Sequence, residues 1–202
     1  MSTLQARTGP MLDIGEARYS RAAMALHWIV AALILAEIGI GWWMNEAMVD
    51  HSPAQDRVQD FHMSLGLLTL LLVLVRIGVR FAHRPPPLSA AMPAWERGLA
   101  HAAHFLFYLL MLVMPLTGWA LISARHGAIP FFGIHWPAMP GFGSLVGPQR
   151  RAVGGTLKAV HNSTLIWIVL ANLLLHVVGA LKHQFDGHPV LWRMIPFLRP
   201  PA

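Results

Sequence analysis

The sequence predicts an all-α integral membrane protein, a four-helix up-down-up-down bundle in a single domain over residues 1–202. Three observations carry this. Hydrophobic residues make up 55% of the chain and charged residues only 12%, half of the about 25% that a soluble domain carries. Mean hydropathy is +0.52. Four apolar runs alternate with polar connections, and each run reaches the roughly twenty residues needed to cross a hydrocarbon core of about 30 Å.

Met1–Arg21 is mixed, with Gly9, Pro10 and five charges, and reads as a short tail entering a helix. The first span is Ala22–Met44; its apolar run is too long for a cleaved signal, and no basic segment leads straight into it. An acidic loop follows, Asn45–Asp60, with Glu46, Asp50, Asp56 and Asp60 against Arg57. The second span is Phe61–Phe81, and the prolines of HRPPPLSAAMPAW make a stiff extended connection. The third span, Gly98–Ile122, contains Pro115 and Gly118, which predict a kink. Ser123–Ala159 reads as a glycine- and proline-rich loop centred on FFGIHWPAMPGFG. The fourth span is Val160–His183, before a tail ending in RMIPFLRPPA.

The absence of cysteine excludes disulfides, thiolate-held iron–sulfur clusters and covalent haem attachment. The net charge of +6 does not indicate nucleic acid, because the basic residues flank the spans. Ten lie with the tails and the second connection: Arg7, Arg18, Arg21, Arg76, Arg80, Arg84, Arg97, Lys182, Arg193 and Arg199. Five lie on the other side: Arg57, Arg125, Arg150, Arg151 and Lys158. The positive-inside rule then places both termini in the cytoplasm.

Histidines supply the chemistry. His161 and His176 are fifteen residues apart on the fourth span, about 22 Å along a helix and about 60° around it. His27 lies six residues after Arg21 and His176 six before Lys182, which puts both in the cytoplasmic leaflet. His62 follows Asp60 and His161 follows Lys158, both at the outer ends of their spans. A lone histidine in an apolar helix is ordinarily a hydrogen-bonded packing residue. Four at two matched depths point to axial ligation of two stacked haems, because intramembrane ionisable groups are costly and functional by default. His101 and His104 open the third span, and spacing alone leaves open whether His27 or His104 faces His176.

The ordered motifs YSRAAMALHW, FHMSLGLLTLLLVLVRIGVR, HRPPP, LAHAAHFLFYLLMLVMPLTGW, FFG and LHVVGALKHQF resemble the bacterial cytochrome b561 family, four-helix dihaem cytochromes of the inner membrane. The resemblance runs from Tyr19 to Pro196. It implies two non-covalent, bis-histidine b haems, with His27 and His176 on the inner one and His62 and His161 on the outer one, and so excludes His104. The resemblance also exposes one departure: the family's two fourth-helix histidines are one residue closer than the fifteen here. One residue turns a helix by about 100°, so a local helix bulge or a shifted haem plane is needed to absorb it.

Other residues take supporting roles. Gly66, one turn after His62, and Gly179, three residues after His176, remove side chains where a porphyrin approaches, although small residues also serve plain helix packing. Arg76 is the candidate partner of inner-haem propionates, while Arg80 snorkels to headgroups. Arg150, Arg151 and Lys158 are the outer equivalents. Glu37 sits mid-span, where an ionised carboxylate is expensive, and is expected to be protonated or hydrogen-bonded across helices, with a proton path as the second reading. Met63, Met111 and Met114 read as packing, and Trp42, Trp43, Trp119 and Trp136 as interfacial anchors. His51, His83, His126, His135 and His188 read as solvated loop residues.

Two stacked haems with irons roughly 20 Å apart form an electron wire. The resemblance implies quinone exchange, with superoxide oxidation an activity of some members. The basic loop Arg125–Lys158 suits a small anion, and Lys182 with His183 suits a quinone carbonyl or a proton relay at the inner end, or else a snorkelling pair. The expected function is electron transfer between a periplasmic one-electron donor, superoxide being the candidate, and the ubiquinone pool: a superoxide:ubiquinone oxidoreductase. The alternative is a membrane electron-transfer subunit docked to a periplasmic redox protein, with no substrate chemistry of its own. A haemless scaffold or transporter would leave the four matched histidines unexplained. Membrane lipid is the remaining partner.

Overall fold

The structure, a computed structural model, describes residues 18–50, 52–88, 92–186 and 189–199. Arg7, His51, His188 and nearly all of the N-terminal tail lie outside the described residues. Among those described, four helices are long and apolar enough to cross a membrane. The spanning helices are α1 (Arg21–Glu46), α2 (Pro53–Ala82), α3 (Ala94–His126) and the last, a composite. That composite runs from α4 (Gly147–Ala159) through a π-helical segment, Val160–Leu165, into α5 (Ile166–Phe185).

Local chemistry sets the helix ends. The Ser20 hydroxyl accepts from the Ala23 amide and caps α1. Ser52 does the same for α2 through Gln55, with Pro53 in the first turn, where its missing amide hydrogen costs nothing. This cap explains why α2 begins eight residues before the expected Phe61: its first two turns are polar and extend beyond the apolar span. Helix α3 runs through Pro115 and stops at Gly127, whose φ of 84° is the left-handed conformation that glycine adopts freely.

The expected loop Ser123–Ala159 is largely structured. Strands β1 (Ile129–Phe131) and β2 (Ile134–Trp136) form an antiparallel hairpin, Phe131 opposite Ile134. Phe132 and Gly133 make its two-residue turn with φ of 47° and 88°, the primed geometry that suits hairpin twist. The Ser64 hydroxyl pins the hairpin to α2, accepting from the Phe132 amide and donating to the Pro130 carbonyl. Ile129 joins Leu67, Leu121 and Ile122 in a buried cluster, with Trp119 and Trp136 packed against it. Those two tryptophans are therefore packing residues that stack edge-on at 6.2 Å. Trp42 and Trp43 are exposed, as interfacial anchors require.

Helix α1 packs on α2, α2 on α3, and α3 on α5. The backbone of α5 stands off from α1 and α2, and histidine rings bridge the slots that remain. The first and last described segments meet at one end, here called the termini end: the Arg18 guanidinium donates to the carbonyls of Trp192 and Leu198, and Trp28 Nε1 donates to Met194 O. The hairpin and the α1–α2 connection occupy the other, here called the loop end.

Candidate functional site

At the loop end, α2 supplies His62 and the π-helical segment supplies His161, their ring centroids 6.3 Å apart. The Thr117 hydroxyl donates to Met114 O at 2.7 Å and lies 3.0 Å from His161 Nδ1. With its proton committed to Met114, that oxygen accepts from His161 Nδ1–H, which leaves a lone pair on Nε2. The Glu37 carboxylate reaches across from α1 to within 2.7 Å of His62 Nδ1. It approaches off the axis of the ring N–H, so the contact is close but is not an aligned hydrogen bond. Glycines make the space. A Cβ on Gly118 would lie 3.1 Å from His161 Cε1, and one on Gly41 would lie 3.6 Å from His62 Cε1. Gly66 faces Glu37 at 3.9 Å by the same measure.

All of these except Thr117 line a cavity of about 1170 Å³ that rises to the loop-end surface, just above the roughly 300–1,000 Å³ typical of small-molecule sites. Its mouth has two faces. Arg125, Arg150, Arg151 and Lys158 stand on the α3–α4 side, and Glu46, Asp50 and Asp56 on the α1–α2 side. All seven are exposed.

At the termini end, His27 of α1 and His176 of α5 have ring centroids 6.3 Å apart. His104 of α3 lies on His176 as well, at 5.6 Å, and Phe107 at 5.2 Å. The geometry thus keeps both His27 and His104 beside His176. Arg76 Nη2 is 3.2 Å from His27 Nδ1, and its Nε and Nη1 are buried without a hydrogen-bond partner. Arg76 and Arg80 both lie over the Tyr108 ring, at 5.9 and 5.3 Å. A Cβ on Gly179 would meet nothing within 4 Å. At the extreme end, Lys182 Nζ contacts Glu96 Oε1 at 3.0 Å and Asp186 Oδ2 at 2.7 Å, and His183 Nδ1 lies 3.5 Å from Glu96 Oε2.

The equal spacing of the two pairs has a chemical meaning. Two imidazoles on opposite faces of one metal, each with a metal–nitrogen bond of about 2.0 Å, have ring centroids about 6.3 Å apart. Both pairs match this. The Nε2 lone pair of His161, glycine-lined room beside the loop-end rings and buried unpaired guanidinium nitrogens at the other end suit a flat metal macrocycle carrying acidic groups. The residues present therefore fit haem.

Comparison with known proteins decides the family. The profile of the prokaryotic cytochrome b561 family matches residues 18–197. The chain belongs to the prokaryotic cytochrome b561 family. The chain is 28% identical over 190 residues to a Yersinia pestis protein named probable superoxide oxidase CybB, covering 89% of this chain and 96% of that one. It is 29% identical over 180 residues to Escherichia coli K12 cytochrome b561 homolog 2, covering 88% and 91%. Cytochrome b562 of Cereibacter sphaeroides is 28% identical over 176 residues, covering 84% and 89%. As a cytochrome b561 the chain is a multi-pass bacterial membrane protein that binds b-type haem and transfers electrons.

Several residues that shape the cytochrome's site escaped the sequence reading. Thr117 carried no signal of its own, and Gly118 read only as a kink former beside Pro115, because their value lies in facing His161 from another helix. Glu37 was legible as a costly mid-span acid expected to bond across helices, but its partner His62 was not. Glu96 was not singled out, although a first-turn acid on α3 is the natural counter-charge for a lysine at the end of α5.

Proposed function

We propose that this cytochrome b561 carries electrons across the bacterial inner membrane, from a periplasmic one-electron donor to the ubiquinone pool, through two non-covalent b haems in one membrane domain. The observation that carries it is the pair of histidine couples, His62 with His161 and His27 with His176, at the same 6.3 Å ring separation. Haem iron, when bound, supplies reversible one-electron chemistry. Thr117 orients His161 through Nδ1, as the outer partners of metal-bound histidines do, and the Glu37 carboxylate lies beside His62 Nδ1. Arg76 offers its free nitrogens to propionates at the termini end. Arg150, Arg151 and Lys158 serve at the other end, where Gly66 keeps the cavity wall low beside Glu37.

The excess of basic residues on the termini side supports cytoplasmic termini, so that the loop end faces the periplasm. Superoxide is the donor that the site and the relatives favour. The basic face of the mouth raises the local concentration of a small anion, and one relative bears the name probable superoxide oxidase. Each superoxide leaves as dioxygen after giving up one electron, and two electrons with two protons convert ubiquinone to ubiquinol. At the cytoplasmic end, Lys182 and His183, held by Glu96, supply a donor for the quinone carbonyl and a route for protons.

The test is the haem-to-protein ratio of the purified chain, by pyridine haemochromogen with a reduced-minus-oxidised spectrum. Two b haems per chain are expected. His161→Ala should lose the loop-end haem and keep the other spectrally recognisable. Retention of both haems in that variant would overturn the ligand assignment.

A further inference from the structure

The two histidine pairs stand in opposite local charge. At the loop end a carboxylate, Glu37, lies 2.7 Å from His62 Nδ1. At the termini end a guanidinium, Arg76, lies 3.2 Å from His27 Nδ1. Both charges sit inside the bundle: the Glu37 side chain is 15% exposed, and Arg76 has two nitrogens shielded from solvent. Water and salt therefore screen them weakly. The charges of the mouth are exposed and of both signs, so they oppose one another and are screened. Near Arg76, Arg80 adds charge of the same sign over Tyr108, and the Glu96 carboxylate is engaged by Lys182.

Reduction of a metal centre adds one negative charge. A neighbouring anion opposes that addition and a neighbouring cation favours it, by an amount that grows as the local dielectric falls. A carboxylate on a ligating histidine also makes the ring a stronger donor, which stabilises the oxidised metal.

We propose that Glu37 and Arg76 set the direction of electron flow. Glu37 holds the loop-end centre at a lower reduction potential, and Arg76 holds the termini-end centre at a higher one. With haem bound, one electron would leave the loop-end centre, oxidising it, and enter the termini-end centre, reducing it; no bond would form or break. The inference rests on the histidine ligation proposed above, and both residues act through the ligand rings as positioning groups.

The experiment is a potentiometric titration of the two-haem holoprotein, with the loop-end component assigned by its loss in His62→Ala. Glu37→Gln keeps the shape and removes the charge. It should raise the loop-end midpoint alone, changing the electron-distribution constant by about tenfold, or ~59 mV for one electron. Glu37→Asp, which retains the charge, should move it less. Arg76→Gln should lower the termini-end midpoint alone, and Arg76→Lys should restore it. Unshifted midpoints in Glu37→Gln with two haems bound overturn the inference while leaving the ligation intact, whatever Arg76→Gln does to haem retention. Two haems in His62→Ala overturn the ligation itself.

Discussion

The loop-end histidines show how single atoms define a ligand site. A metal-ligating imidazole almost always has its other nitrogen engaged, and from two different helices the Thr117 hydroxyl meets Nδ1 of His161 while the Glu37 carboxylate lies beside Nδ1 of His62. Space matters as much as polarity. A Cβ on Gly118 would lie 3.1 Å from His161 Cε1, closer than packed atoms tolerate without one of them moving. Gly118→Val should therefore displace His161 and lower the haem-to-protein ratio by about one, with helical circular dichroism unchanged. An unaltered ratio would show that the ring can yield. The sequence displayed Glu37, the four histidines and Gly118 plainly enough. What it could not display is which of them meet, since a contact between helices depends on the rotation of each about its own axis.

At the scale of the element, the fourth span carries the lesson. The resemblance implies a spacing one residue shorter than the fifteen between His161 and His176, and one extra residue in a regular α-helix turns the rings about 100° out of register. The structure places a π-helical segment, Val160–Leu165, over His161, the kind of bulge that accommodates an inserted residue at functional sites. Deleting Ser163 should remove the bulge and leave two haems per chain. Inserting one alanine after Ile168 should cost a haem, because the segment already holds its surplus residue. Loss of haem on deletion of Ser163 would show that the bulge does more than restore register. The preceding helix α4 was hidden for a local reason: Gly154 and Gly155 lower its helix propensity, and its polar residues lie outside the apolar run. Packing of Gly154 against the Arg125 side chain, 3.5 Å from a Cβ placed there, holds it to α3.

Over the whole molecule, the hairpin and α4 close one side of the loop end and leave a mouth with one basic and one acidic face. If the basic face steers an anion, Arg150→Glu with Arg151→Glu should slow superoxide oxidation most at low ionic strength, the difference narrowing as salt shortens the Debye length to about 8 Å at 0.15 M. A rate that is the same at every salt concentration would remove these charges from the mechanism. Both arginines are exposed, so the fold should tolerate the change.

Membrane residence and the number of spans followed from the sequence by itself, as did which histidines share an end of the bundle. Hydropathy and position along a helix are local quantities, additive along the chain and indifferent to neighbours. Only the tertiary structure decided that His27 and His104 both lie on His176, that Glu37 meets His62 while Arg76 meets His27, that Glu96 gathers Lys182 and His183, and that FFGIHW folds into a hairpin against Ser64. Each of these turns on the azimuth of a helix, which shifts by about 100° per residue. An error of one residue that leaves a depth almost unchanged replaces every lateral partner.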